Sequence, residues 1–476
     1  MEGKVRQMTT RREFLITFGL GAAGLAVLPR FAFGADDAWS TVYPQIRARI
    51  KPPVFPKRDF LITKYGAKTN GVVGDNTLAI YAAIDACSKA DGGRAVVPAG
   101  EFVTGAVHLK SNVNLYLAKG ATLKFSTDAS SYPIVATRFE GMECWNVSPF
   151  IYAYKETNIA ITGEGTLDGQ SNNEHWWNWH GNPAFGWKDG QPNQKAARAR
   201  LYDMMEKGVP VKDRVFGSAD RLRPNFIQPH LCKNVLIEGV RIVNSPMWEI
   251  HPLLSENVTV RRVSISSHGP NNDGCDPESC KDVLIEDCTF DTGDDCIAIK
   301  SGRNDDGRRV NVPTENVIVR GCVMKDGHGG ITIGSEISGG VRNFFGEDCR
   351  MDSPILDHAL RFKNNAARGG LLENFYFRNI TVGQVKHALL TVDFNYEEGA
   401  KGKYTPVARN ISVDRLTSKK SQYAIDLQGL EKGPISDITI RNSTFENVSD
   451  GSIVKYVQNL KLDNVRINGR VIGKLG

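Results

Sequence analysis

A nine-residue pattern recurs seven times in the second half of this 476-residue chain. NVLIEGVRI opens at Asn234, NVTVRRVSI at Asn257, DVLIEDCTF at Asp282, NVIVRGCVM at Asn316, NFYFRNITV at Asn374, DITIRNSTF at Asp437 and NLKLDNVRI at Asn459. Each begins with Asn or Asp, alternates apolar with polar residues, turns at a small or charged pair and resumes as a second β-rich run. The pattern returns after 23 residues from Asn234 to Asn257, 25 from Asn257 to Asp282 and 22 from Asp437 to Asn459, and after longer gaps where loops intrude. That period is one coil of an all-β, right-handed parallel β-helix. Inward side chains of each coil stack on the same position of the next, so no coil buries its apolar face alone. Asn at the head of each run suits a corner, where it tolerates left-handed backbone and bonds the neighbouring rung. A doubly wound α/β fold needs an amphipathic helix after every strand, and residues 234–476 contain no such segments.

The N-terminal region reads differently. NTLAIYAAIDACSKADGG, from Asn76, spaces apolar residues at helical intervals and ends at a Gly pair, which predicts a short helix capping the open end of the solenoid core. RAVVPAGEFVTG and HLKSNVNLYLAKGATLKFS then read as the first strands. Between residues 168 and 223 the repeat lapses into an insert carrying Trp176, Trp177, Trp179 and Trp187, followed by KAARARLYDMMEKG as a helix. Four Trp in so short a stretch are either the core of a small subdomain or a sugar-stacking wall beside a cleft.

Residues 1–34 have the form of an export signal. Arg11 and Arg12 precede Phe14-Leu15 and an apolar run too short to span a bilayer, and Ala32-Phe33-Gly34 offers small residues for cleavage. RRxFL resembles a twin-arginine signal, which implies export of the folded chain to the periplasm or beyond, with residues 35–476 as the mature domain and no membrane association after removal. The nine cysteines show no repeated CxxC. Most are expected to be free and buried, with Cys275 and Cys280 the pair to bridge if any does. The net charge of +6 is spread along the chain without a basic tract, which argues against a nucleic-acid partner. The sequence carries no signal of an assembly.

Four polar clusters lie in the middle of the repeats: NNDG at 271–274, GDD at 293–295, GHG at 327–329 and RFK at 361–363. They are separated by one coil length, with and without a loop, so they fall on successive rungs about 4.8 Å apart and line one face. Singly, each is ordinary: a solvated Asp turn, a loop His, an exposed strand. Together they bring Asp273, Asp294 and Asp295 beside an imidazole and an Arg–Lys pair. Glycoside hydrolysis needs one protonated and one ionised carboxyl, and crowding separates the pKa values of neighbouring acids. His328 is positioned to tune a proton donor, and Arg361 and Lys363, two apart on a strand, to hold a substrate carboxylate. No DxDxDG calcium loop occurs.

NNDG, TGDDCIAIKSG, DGHGGITIGSE and LRFKNN resemble, in order, the signatures of glycoside hydrolase family 28, the polygalacturonases, and KYGAKTNGVVGDNTLAIYAAIDAC resembles the start of bacterial members. The resemblance implies a single-stranded pectin-lyase-like β-helix and inverting hydrolysis of α-1,4-galacturonosyl linkages in pectin without a metal or other cofactor. By position it implies Asp294 as general acid, Asp273 and Asp295 as the pair activating water, His328 as support for the acid, and Arg361, Lys363, Tyr396 and Asn271 as substrate contacts. Asn272, Gly293 and Phe362 stand where the family more often has Thr, Gln and Ile, which bears on the substrate. Similarity to longer bacterial members, with the insert as an end wall, implies exo action. Rhamnogalacturonan or substituted galacturonan is the alternative substrate. A calcium-dependent pectate lyase and a non-catalytic carbohydrate-binding solenoid are the other classes that share this coil architecture.

Overall fold

The structure is a computed structural model in which residues 35–475 are described; the export signal read at residues 1–34 lies outside the described residues. Strands stack in parallel, in register, along one axis. One inward row runs Ile159, Val235, Val258, Val283, Val317, Phe344, Phe375, Ile411, Ile438 and Leu460, each the register partner of the next. A second sheet carries the row Ile297, Ile331, Leu360, Leu390 and Ile425. These rows meet in one continuous apolar core. This is the right-handed parallel β-helix that the repeats predict, right-handed because parallel crossovers take that hand.

Two of the long gaps between repeats turn out to be two coils each. Asn343 and Asn410 head further rungs, in NFFGEDCRM and NISVDRLTS, which the pattern above passes over. Asn at the corners behaves as expected, with φ between +54° and +67° at Asn158, Asn234, Asn257, Asn316, Asn343, Asn374, Asn410 and Asn459. Each donates its amide to the previous rung: Asn234 to Asn158 at 2.8 Å, Asn257 to Asn234 at 2.7 Å, Asn343 to Asn316 at 3.1 Å and Asn374 to Asn343 at 3.2 Å. Asp282 has no amide to donate, so the ladder is interrupted below it. The chain near residue 50 fills that break, with the Arg49 guanidinium 2.8 Å from Asp282 and the Lys51 backbone N–H donating to Asn257 at 2.9 Å.

The helix Val73–Lys89 turns Ile80, Ala83, Ile84 and Cys87 onto the first coil and closes the core. An unexpected helical segment, Ala35–Arg49, lies outside the barrel. Its Ala38, Ile46 and Ile50 cover Leu284, Ile318, Phe345 and Tyr376, an apolar row facing outward on four successive rungs. All nine cysteines are free and buried, so the bridge considered between Cys275 and Cys280 does not form. The residues between them run extended along a rung bridged at Cys275 and Glu278, which separates the thiols. The Cys280 thiol instead donates to the Pro252 carbonyl at 3.2 Å. No described helix is long and apolar enough to cross a membrane.

Asn343→Ala should destabilise the fold by about 2 kcal/mol, one part from a left-handed backbone without Asn or Gly and one from the lost rung-to-rung bonds. Asn343→Gly restores the backbone freedom and should cost about half as much. Urea unfolding midpoints check the order wild type, Gly, Ala; an Ala variant as stable as the Gly variant would remove the corner strain from this account.

Candidate active site

The in-register stacking converts sequence spacing into proximity. Ile250, Cys275, Ile297, Ile331 and Leu360 are bridged rung to rung, so the positions two residues earlier, Trp248, Asp273, Asp295, Gly329 and His358, form the adjacent row. Asp273 and Asp295 thus occupy neighbouring rungs. Asp294 extends from the turn beside them, and single ligand oxygens of the three carboxyls lie within 4.8 Å of one another. His328, one rung on, holds Nδ1 3.0 Å from Asp294 Oδ1.

The three acids differ in environment. The Asp295 side chain is fully buried, and its oxygens are engaged by Lys363 Nζ at 2.6 Å and Thr332 Oγ1 at 2.9 Å, with Arg361 Nη1 3.8 Å away. Asp273 is nearly as enclosed, with Lys300 Nζ 3.3 Å from its Oδ2. Asp294 keeps 18% of its side-chain surface open to the cleft. Burial, then the Asp294 charge, pushes Asp273 up to about 8. Burial would raise Asp294 as well, but the hydrogen bond and charge of His328 hold it below the usual carboxylate range. The same bond raises His328 to about 9 against the cost of burial. The cluster therefore retains protons at neutral pH, shared between Asp273 and the Asp294–His328 pair. Three close carboxylates are also a donor set for a cation, but the Lys300 and Lys363 ammoniums already supply positive charge from the neighbouring strands.

All eight residues singled out from the sequence belong to one region, yet two play unequal parts from those expected. Lys363 is 7% exposed and spent on Asp295, so the accessible cation for a substrate carboxylate is Arg361, at 18%. The Tyr396 ring lies 5.2 Å from Lys363 Nζ and 5.6 Å from Arg361 Cζ, closing that corner. The side-chain oxygen of Asn271 accepts from Arg223 Nη2 at 2.7 Å, leaving only its NH₂ group for a ligand.

Lys300 is the residue that sequence reasoning passed over. Its buried ammonium reaches Asp273, Asp276 at 3.5 Å and Glu336 at 3.2 Å and lies 4.3 Å over the Trp248 ring. Its signal was present in TGDDCIAIKSG: a lysine ending an apolar strand three residues beyond an inward Ile.

The insert packs against the rung that precedes the acidic cluster, with Trp177 Nε1 donating to the Ser245 carbonyl at 2.8 Å. Trp176 and Trp179, 1% and 7% exposed, pack with each other and with Tyr132 and Phe150, so these two are core. The helix Lys195–Glu206 places Leu201 and Met205 in one apolar cluster with Phe139, Met247 and Trp248. The fully buried Arg223 ties it to the acidic loop through Gln194, Pro246 and Pro270. The hairpin formed by Ile134–Phe139 and Met142–Val147 joins this helix to the later rungs, with Glu140 bonded to both Arg198 and Arg303.

A parallel β-helix that gathers three carboxyls, an imidazole and an arginine on successive rungs has the groups that acid/base hydrolysis of a glycosidic bond needs. Residues 214–466 match the family model described as glycosyl hydrolases family 28. A solved structure of a hyperthermoactive exopolygalacturonase from Thermotoga maritima is 44% identical, with a TM-score of 0.88 over 92% of this chain and 97% of that one. An exo-poly-α-D-galacturonosidase from Dickeya chrysanthemi is 26% identical across 86% of this chain and 74% of its own length, and a probable polygalacturonase from Vitis vinifera is 29% identical across 79% and 72%. The chain belongs to glycosyl hydrolase family 28.

The Asp294–His328 pair has a signed pH signature. A raised His328 contributes stability that is complete below the ordinary imidazole value near 6.5 and lost as pH rises through about 9; the depressed Asp294 loses its contribution on acidification. In Asp294→Asn the His328 titration, followed by NMR of labelled histidine, should fall back toward the ordinary value. A His328 pKa indifferent to that substitution would mean the two groups are not electrostatically coupled.

Proposed function

We propose that the protein hydrolyses α-1,4-galacturonosyl linkages of polygalacturonate from a chain end, with inversion. The observation that carries the exo reading is the 44% identity to an exopolygalacturonase over nearly the whole of both chains, and the insert packed beside the acidic cluster supports it. Arg361, beside Tyr396, supports a carboxylated sugar as the ligand, since a guanidinium pairs well with a carboxylate.

Asp294 is the proton donor in this reading. It is the one acid of the three with a side chain open to the cleft, and the donor must touch the glycosidic oxygen. Its proton comes from the imidazolium: when substrate excludes water, the pair passes from carboxylate–imidazolium to carboxylic acid–imidazole, and the acid protonates the leaving oxygen. Asp273 and Asp295 together hold the attacking water, and the Asp295 carboxylate takes its proton. The close spacing of the carboxyls lies below the roughly 6.5–9.5 Å usual for inverting pairs. Asp295 nevertheless makes a poor nucleophile, because it is fully buried and both its oxygens are engaged. Residues 1–34 act as an export signal, and residues 35–476 as the mature enzyme of the periplasm or exterior.

Asp294→Asn should lower kcat roughly a thousandfold while leaving oligogalacturonate binding measurable by calorimetry. Loss of binding without loss of turnover in the bound fraction would remove Asp294 from the chemistry.

Product analysis tests polarity and stereochemistry together. Galacturonan should yield a single short product from the first minutes with little fall in viscosity, and proton NMR should show that product appearing as its β-anomer. Rapid thinning overturns exo action, and an α-anomer overturns inversion.

A further inference from the structure

Asn271 and Asn272 stand side by side in NNDG and look equivalent, yet the fold uses them differently. Asn272 is fully buried and its amide is spent: Oδ1 accepts from Ser267 Oγ and from the Gly269 backbone N–H, each at 2.7 Å, and the NH₂ group donates to the Ser245 and Met247 carbonyls at 3.2 Å and 3.1 Å. It holds the turn. Asn271 is part-exposed, has φ +54°, and its side chain makes one hydrogen bond among the described residues, accepted by Oδ1 from Arg223 Nη2 at 2.7 Å. A guanidinium carries donors only, so it dictates which end of the Asn271 amide faces it. The oxygen turns toward Arg223, and the NH₂ group is left to point away with both hydrogens unpaired.

Arg223 is itself unusually placed. It is 1% exposed, and every acceptor in contact with it is neutral: Gln194 Oε1 at 3.0 Å, the Pro246 carbonyl at 2.9 Å, the Pro270 carbonyl at 2.5 Å and Asn271. These bonds fix it at once to the insert and to the corners before Trp248 and Asp273. Burial lowers the guanidinium to about 9, so it stays charged at neutral pH, and the acids that feel it, Glu140, Asp294 and Asp273, act from a distance. Other buried arginines of this molecule have a carboxylate in contact, as Arg138 has Glu278 and Arg214 has Asp306. Arg223 has none among the described residues, so its charge polarises the one amide it shares with the cleft. By register the rung of Asp273 precedes that of Asp295 and the rung of Arg361 follows it, so Asn271 and Arg361 stand on opposite sides of the acids.

We propose that Arg223 is a positioning residue for substrate binding: it locks the Asn271 amide with its NH₂ group presented as donor to an oxygen of the sugar bound across the acids from Arg361. The inference rests on the galacturonan reading and deepens it. The experiment measures trigalacturonate affinity by calorimetry in the Asp294→Asn background, with thermal midpoints recorded alongside. Asn271→Asp keeps the shape and tolerates the same left-handed backbone, but gives Arg223 a carboxylate and the sugar an acceptor in place of a donor. It should weaken Kd roughly tenfold or more while leaving the midpoint equal or higher. Arg223→Gln should weaken Kd by a similar factor, and Arg223→Lys, which keeps a charged donor, should recover part of the loss. An Asn271→Asp protein that binds as its parent does overturns the proposal, and so does one whose affinity falls only together with its midpoint. Should Arg223→Gln fail to fold, the near-isosteric Asn271→Asp decides alone. Absence of trigalacturonate binding by the parent overturns the underlying galacturonan reading, a result distinct from binding that ignores Asn271.

Discussion

The parallel, in-register pairing of successive coils is the constraint from which the site follows. It places residue n of one rung over its counterpart on the next, and so stacks Asp273 against Asp295 as inevitably as it stacks Cys275 against Ile297. For apolar rows the stacking is favourable. For carboxylates it is not: two charges 4.8 Å apart repel by about 3 kcal/mol even at an effective dielectric of 20. The barrel offsets this with two lysines, Lys300 under Asp273 and Lys363 under Asp295, each reaching the acids from a buried strand end. Burial, then the Asp294 charge, nonetheless raises Asp273 to about 8.

The repeating rung was legible because its information is local: an Asn, an alternation and a turn suffice to mark a coil. Asn343 and Asn410 escaped because Phe-Phe-Gly and the interrupting residues before Val407 blur the alternation, although the corner bond is intact at both. The six chemical residues of the acidic, histidine and Arg–Lys clusters were legible for the same reason, since each cluster recurs at one coil length. What was not legible is pairwise. Arg361 and Lys363 look equivalent in RFK, yet only the packing reveals that one ammonium is consumed by Asp295. Lys300 looks like the polar end of a strand until Asp276 and Glu336, 24 and 36 residues away, converge on it.

The segment at residues 35–51 illustrates another kind of hidden information. The outward row Leu284, Ile318, Phe345 and Tyr376 violates the rule that alternate positions of a solvated sheet are polar. Such a row requires a cover, and a helix from the far end of the chain supplies it, with Trp39 and Tyr43 edge-on to Phe345. The same segment satisfies the one acceptor that the Asp282 corner leaves without its donor. One stretch of chain thus answers two irregularities of the repeat.

Arg361 and Lys363, two apart on one strand, differ in exposure and in their distance from Asp295. Lys363, desolvated and 2.6 Å from Asp295, is paired with that acid. A lysine so placed gains little from a substrate carboxylate, because the local anion already balances it. Arg361 lies 3.8 Å from the same acid, retains surface and can orient a planar fork toward a ligand. Exchanging the two would put the more weakly hydrated, always-charged guanidinium in the buried place and a mobile ammonium at the ligand, weakening the directional contact where it matters. Arg361 and Lys363 point to the same side of the strand but are not interchangeable positive charges, Lys363 being paired with Asp295 and Arg361 the more open of the two.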